Sequence, residues 1–231
     1  MSKVPAKPTS AAVAAFLDKV KSTPALRTGG SAGRLMFAMD ATASREPTWD
    51  RACRLQGEMF TATQGIGPLE IQLVWYRGFG EFDASPWLAN SAELVRRMTG
   101  VQCHAGETQI AAVLEHAVAE TRRKKVNAVV FVGDCVEENV DRLAKLAGDL
   151  GLLGTPVFVF HEGGEPVARK ILEEIARLSG GAYCPFDAGS AEMLRDLLVA
   201  AATFAVGGRK ALEDFNRRRG GVVLRLTHRP R

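Results

Sequence analysis

Met36-Phe37-Ala38-Met39-Asp40-Ala41-Thr42-Ala43-Ser44 is an apolar run that stops on an aspartate and continues into hydroxyls at alternate positions. Further along, Val129-Val130-Phe131-Val132-Gly133-Asp134 repeats the run and its stop. Unbroken apolar runs of this length read as strands buried on both faces, the kind found in parallel sheets. The residues at their ends carry different information. A carboxylate followed by Thr42 and Ser44, with no soft ligand among them, suits a hard divalent cation such as Mg²⁺ or Mn²⁺.

Working outward, strands and helices alternate. Arg34 to Asp40 is a strand, Thr48 to Thr61 a helix with Ala52, Leu55 and Met59 on its apolar stripe, and Leu69 to Tyr76 a strand. The partial alternation in Leu69 to Tyr76 places it nearer the sheet edge. Glu81 to Ala84 follows through the Gly78 and Gly80 turn, a connection short enough to require an antiparallel pair. Then come helices over Ser91 to Met98 and Thr108 to Lys124, a strand over Val126 to Val132, and a helix over Val140 to Leu150. The last elements are a strand over Pro156 to Phe160, a helix over Pro166 to Leu178, a strand over Ala182 to Phe186 and a helix over Ser190 to Ala205. Pro166 stands where a helix accepts proline, and Gly180-Gly181 closes that helix. This order predicts an α/β domain with a mostly parallel sheet over residues 31–206. Residues 1–30 read as an N-terminal tail with a short helix, and 207–231 as a basic C-terminal tail.

The bulk figures narrow the class. The chain has 231 residues and a formal charge of +4. Eight Lys or Arg and two Asp or Glu fall between Gly207 and Arg231, a surplus of +6, so the rest of the chain stands at −2. No apolar run approaches the about 18 residues of a membrane span. Ala11 to Leu17 ends at Asp18-Lys19, too soon for a signal-peptide core, and no small-residue cleavage site follows. Cys53, Cys103, Cys135 and Cys184 show no CxxC spacing and read as free thiols. These features predict a cytoplasmic protein with no membrane partner.

In a doubly wound sheet, ligands bind beyond the carboxyl ends of the strands where strand order reverses. If the strands ending at Asp40 and Asp134 are neighbours across that point, both aspartates face one crevice. Thr108, in Gly106-Glu107-Thr108 ahead of a helix, can bring another hydroxyl.

This constellation resembles the von Willebrand factor type A (VWA) domain and its metal-ion-dependent adhesion site. The resemblance covers roughly residues 34–205, in order and spacing of elements. It implies a Rossmann-like six-stranded sheet with helices on both faces and the short strand near Glu81 antiparallel at one edge. It also implies that Asp40, Thr42, Ser44, Thr108 and Asp134 hold one Mg²⁺ or Mn²⁺. Two carboxylates and three neutral hydroxyls leave an octahedral cation incomplete. In the family, a carboxylate from a partner protein completes it. The resemblance therefore implies a protein-binding module, a scaffold or assembly factor, and no catalytic residue. The chain departs from the family pattern twice: Thr42 replaces a serine, and Gly133-Asp134-Cys135 replaces Thr-Asp-Gly.

Other readings compete. Either aspartate can cap the turn that follows it, and Thr108 is a natural helix N-cap. A Mg²⁺-dependent hydrolase of phosphorylated substrates would use the same cation, but no phosphate-cradling loop or general base stands out. Arg217-Arg218-Arg219 and the rest of the basic tail could contact nucleic acid, although without interleaved aromatics. Cys103-His104 lacks a second ligand pair for zinc. His116 and His161 read as packing or surface histidines, Trp49, Trp75 and Trp87 as anchors, and Glu137 and Glu138 as a solvated helix start.

Overall fold

The computed structural model describes residues 10–23, 32–46, 68–186, 196 and 198–208. The helix expected over residues 48–61, with Trp49 and Cys53, lies outside them, as does the basic segment from residue 209 onward. The described strands are β1 (Gly33–Asp40), β2 (Leu69–Arg77), β3 (Glu81–Ala84), β4 (Ala128–Gly133), β5 (Val157–Glu162) and β6 (Ala182–Phe186). The helices are α1 (Ser10–Ser22), α2 (Ser91–Thr99), α3 (Ile110–Arg123), α4 (Val140–Leu152), α5 (Pro166–Leu178) and α6 (residues 198–208).

The strands form one sheet in the order β3-β2-β1-β4-β5-β6. All neighbours are parallel except β2 and β3, which pair antiparallel. β1 and β4 are buried at every position, as their unbroken apolar sequences require. β2 alternates only in part and lies one strand in from the edge. β3 is the edge strand and exposes alternate residues, Glu81 and Asp83. Gly78 and Gly80 take positive φ angles of 57° and 88° in the hairpin turn, a conformation glycine adopts without Cβ strain.

Two apolar layers sandwich the sheet. On one face, Met36, Ala38, Val129 and Phe131 pack with α3, α4 and α5. On the other, Leu35, Phe37, Met39, Val130 and Val132 pack with α1, α2 and α6. This is the doubly wound α/β arrangement. The α1 helix belongs to that second layer: Val13, Phe16, Leu17 and Val20 are all buried in it. Phe16 sits 5.8 Å from the Phe158 ring and 5.3 Å from Phe160. The α1 helix thus shares the core of the sheet.

At the amino end of the sheet, buried Arg34 lies 3.6 Å over the Trp87 ring and donates to Glu120 Oε2 at 3.1 Å. Trp87 Nε1 donates to the same oxygen at 2.7 Å. Trp87 is thus an anchor, as its sequence context suggested. The carboxyl end of the sheet holds different chemistry.

Candidate metal centre

Strand order reverses between β1 and β4, which pair directly from Leu35–Ala128 to Met39–Val132. Asp40 closes β1, and Asp134 follows β4. Both aspartates therefore stand at the carboxyl ends of adjacent strands at the switch point, the place such sheets offer to ligands.

The loop after β1 leaves the sheet gradually. Ala41 N donates to Tyr76 O at 2.9 Å, and Thr42 forms a bridge to His104. A single 3₁₀ turn, Ala43–Arg45, follows. Asp40 is fully buried, and its Oδ1 accepts from Thr42 N at 2.7 Å. This tight turn folds the chain back, so Thr42 Oγ1 and Ser44 Oγ lie 3.0 Å apart. The structure thus gathers Asp40, Thr42 and Ser44 as the alternate spacing predicted.

Thr108 precedes α3 but does not cap it. The N-cap is Gln109, which makes no side-chain cap bond. Thr108 instead exchanges hydrogen bonds with Glu137: its Oγ1 accepts from Glu137 N at 3.0 Å, and its N donates to Glu137 Oε2 at 3.2 Å. Glu138 supplies the missing cap, its carboxylate accepting from Ile110 N and, at 2.8 Å, from Ala111 N. Burial raises the pKa of Glu138 against the pull of these bonds. The solvated-start reading is therefore corrected for Glu138, while Glu137 is exposed and still bonds across to Thr108. Both tie the Asp134 loop to the segment that holds Thr108 and the start of α3. A sequence signal existed: Gln109 is a poor cap, so the orphan amides of a buried helix start needed an acceptor from elsewhere.

His161 was another understated residue. It is fully buried at the end of β5, with Nε2 at 3.2 Å from Asp134 O and Nδ1 at 2.8 Å from the Tyr183 hydroxyl. It packs, as expected, and what it packs is the Asp134 loop. Gly106 is required where its loop crosses the β2–β3 turn, since a Cβ there would fall 2.0 Å from Gly78 O. Gly133 has a similar cause: a Cβ would fall 2.8 Å from Phe131 Cζ.

The electrostatics are those of a site short of positive charge. Among the described residues, Asp40 Oδ2 and Asp134 Oδ1 are both buried and find no hydrogen-bond partner. Burial raises the Asp40 pKa, the negative charge of Asp134 adds to the rise, and Thr42 and Arg45 oppose it. Tyr76, aligned with Asp40 across β1 and β2, is held un-ionised by burial and then by the Asp40 charge. Unsatisfied buried carboxylate oxygens are costly and call for a cation or donors. The donor set of two carboxylates and three hydroxyls fits a hard cation of the Mg²⁺ or Mn²⁺ kind. Among the described residues, no group of three or more His, Cys, Asp or Glu side chains is placed to hold a metal ion, so any cation here would rest on two carboxylates and on hydroxyls. Cys103 adds nothing to such a cluster, since burial pushes its thiol up to about 11, and the neighbouring His104 is well exposed. Cys103, Cys135 and Cys184 are free thiols.

One residue of the site escaped the sequence reading. Arg45, next to Ser44, is almost wholly buried and pairs with Glu162 at the end of β5.

No protein-family model matches the chain, and no curated protein sequence does. Solved structures do resemble it. An aerotolerance-related membrane protein from Bacteroides fragilis superposes with a TM-score of 0.57 at 15% identity, over 72% of this chain and 98% of that one. The VWA domain of SpRpn10 gives 0.58 at 13% identity, over 73% and 94%. A von Willebrand factor type A protein from Catenulispora acidiphila gives 0.60 at 16% identity, over 75% of this chain but 43% of that longer one. At such identities the likeness is one of fold, and the fold is the VWA fold.

Proposed function

We propose that this VWA-fold domain is a metal-dependent protein-binding module, a scaffold or assembly factor. Asp40, Thr42, Ser44, Thr108 and Asp134 would hold one Mg²⁺ or Mn²⁺, directly or through water. The observation that carries the reading is a pair of buried carboxylate oxygens, Asp40 Oδ2 and Asp134 Oδ1, that no described residue hydrogen-bonds, at the switch point between β1 and β4. A divalent ion would supply the missing positive charge and offer a coordination position to an Asp or Glu of another protein. The roles of this chain's residues follow from their contacts. Thr42 N fixes Asp40, His161 holds the Asp134 backbone, and Glu137 and Glu138 tie in the loop of Thr108.

The test is thermal unfolding in Mg²⁺, Mn²⁺ or chelator, for the wild type and Asp40→Asn. Ligand at 100 times its Kd should stabilise the native wild type by about 2.7 kcal/mol. The variant should show no shift. An equal response in both proteins would remove the site. Capture of protein partners that chelator abolishes would then support the docking role over a catalytic one.

A further inference from the structure

We infer that Arg45 is a built-in counter-cation of this site, and that its guanidinium competes with a divalent ion for the field of Asp40 and Asp134. The inference rests on reading the site as a cation centre. Arg45 ends the 3₁₀ turn formed by the hydroxyl loop, so the same turn that presents Thr42 and Ser44 carries a fixed positive charge into the site. It is 1% exposed and heads the largest fully buried side chains of the described residues. A buried guanidinium needs anions around it. Glu162, 14% exposed at the carboxyl end of β5, is its ion-pair partner. Gly133 pairs with His161 across β4 and β5, so Glu162 and Asp134 follow at neighbouring strand ends, and the guanidinium that pairs with Glu162 is held at the end of the sheet that carries Asp134.

The physical consequence is a divided attraction. Arg45 offsets part of the negative charge that would draw a divalent ion, and a cation entering beside it meets like-charge repulsion. The native site is therefore tuned to weak, exchangeable binding. A protein of this kind would engage its partner's carboxylate only where divalent ion is plentiful.

The experiment is Mn²⁺ titration of the full chain, with free ion counted by electron paramagnetic resonance. The proteins are wild type, Arg45→Met, Arg45→Lys and the double variant Arg45→Met/Glu162→Gln. The double variant avoids stranding the Glu162 carboxylate, and circular dichroism reports folding for each. Removing the charge should tighten Mn²⁺ binding by about tenfold or more in Arg45→Met. The double variant also loses a negative charge, so its gain should be smaller, about threefold. Arg45→Lys should stay at the wild-type affinity. Equal affinity in all four proteins, or weaker binding in folded variants lacking the arginine, would overturn the inference and leave the cation centre standing. Absence of Mn²⁺ binding from every folded protein would overturn both.

Discussion

A carboxylate at the end of a strand buried on both faces has lost the water that would solvate it. Asp40 meets that cost with one backbone donor, Thr42 N, and leaves its second oxygen unsatisfied. Asp134 carries a similar orphan, while its backbone carbonyl faces His161. His161 sets a residue-scale expectation. Burial lowers its pKa below the ordinary 6.5. The folded ring therefore binds protons less readily than the unfolded one. Its stabilising contribution is complete above the unfolded pKa and is lost as pH falls through the folded value. His161→Leu should flatten that part of the acid limb when urea midpoints are compared between about pH 5 and 7.5. The half-buried His116, also lowered by burial, should preserve the remainder. At neutral pH the variant should cost about 1–3 kcal/mol, because Tyr183 and Asp134 O lose their partner. Its metal response should weaken as well.

Among the elements, α1 illustrates how packing overrides position in the chain. Its apolar residues Val13, Phe16, Leu17 and Val20 recur at helical spacing and close the face of the sheet that carries β5 and β6. Phe16→Ala should lower stability by about 3–5 kcal/mol, read as a shift in the urea midpoint. Strand and helix identity was legible along most of the described chain. Pro166–Leu178 and Ala182–Phe186 fall within their expected bounds, and β3 pairs antiparallel as its short turn required. Local periodicity and turn chemistry decide such features, so a sequence displays them. What it did not display was the cap of α3, since Glu138 comes from a loop that only the folded chain brings near. Arg45 was illegible for a related reason. An arginine beside a serine is ordinary in sequence, and only its burial against Glu162 makes it a component of the site.

At the scale of the molecule, the order β3-β2-β1-β4-β5-β6 buries β1, β4 and β5 between two helical layers and leaves β3 at the rim. Opening the central strands requires both layers to part. Their amides should therefore exchange with solvent most slowly, and those of β3 should be among the fastest in the sheet. Hydrogen exchange resolved by strand checks this order, and rapid exchange in β1 or β4 would contradict it. The candidate centre inherits its rigidity from those strands, because both aspartates are anchored to the most protected part of the fold.

By itself the sequence determined the alternation of elements, the two strand-ending aspartates and the residue types at five candidate positions. These are local properties, written in periodicity and in the chemistry of neighbouring side chains. Only the tertiary structure decided that β1 and β4 lie side by side, which puts Asp40 and Asp134 at neighbouring strand ends. It also decided that Glu137, Glu138 and His161 brace the loops, and that Arg45 is buried against Glu162. Those relations depend on burial and on contacts between distant segments. Charge in particular acts through space and solvent access, neither of which exists until the chain has folded.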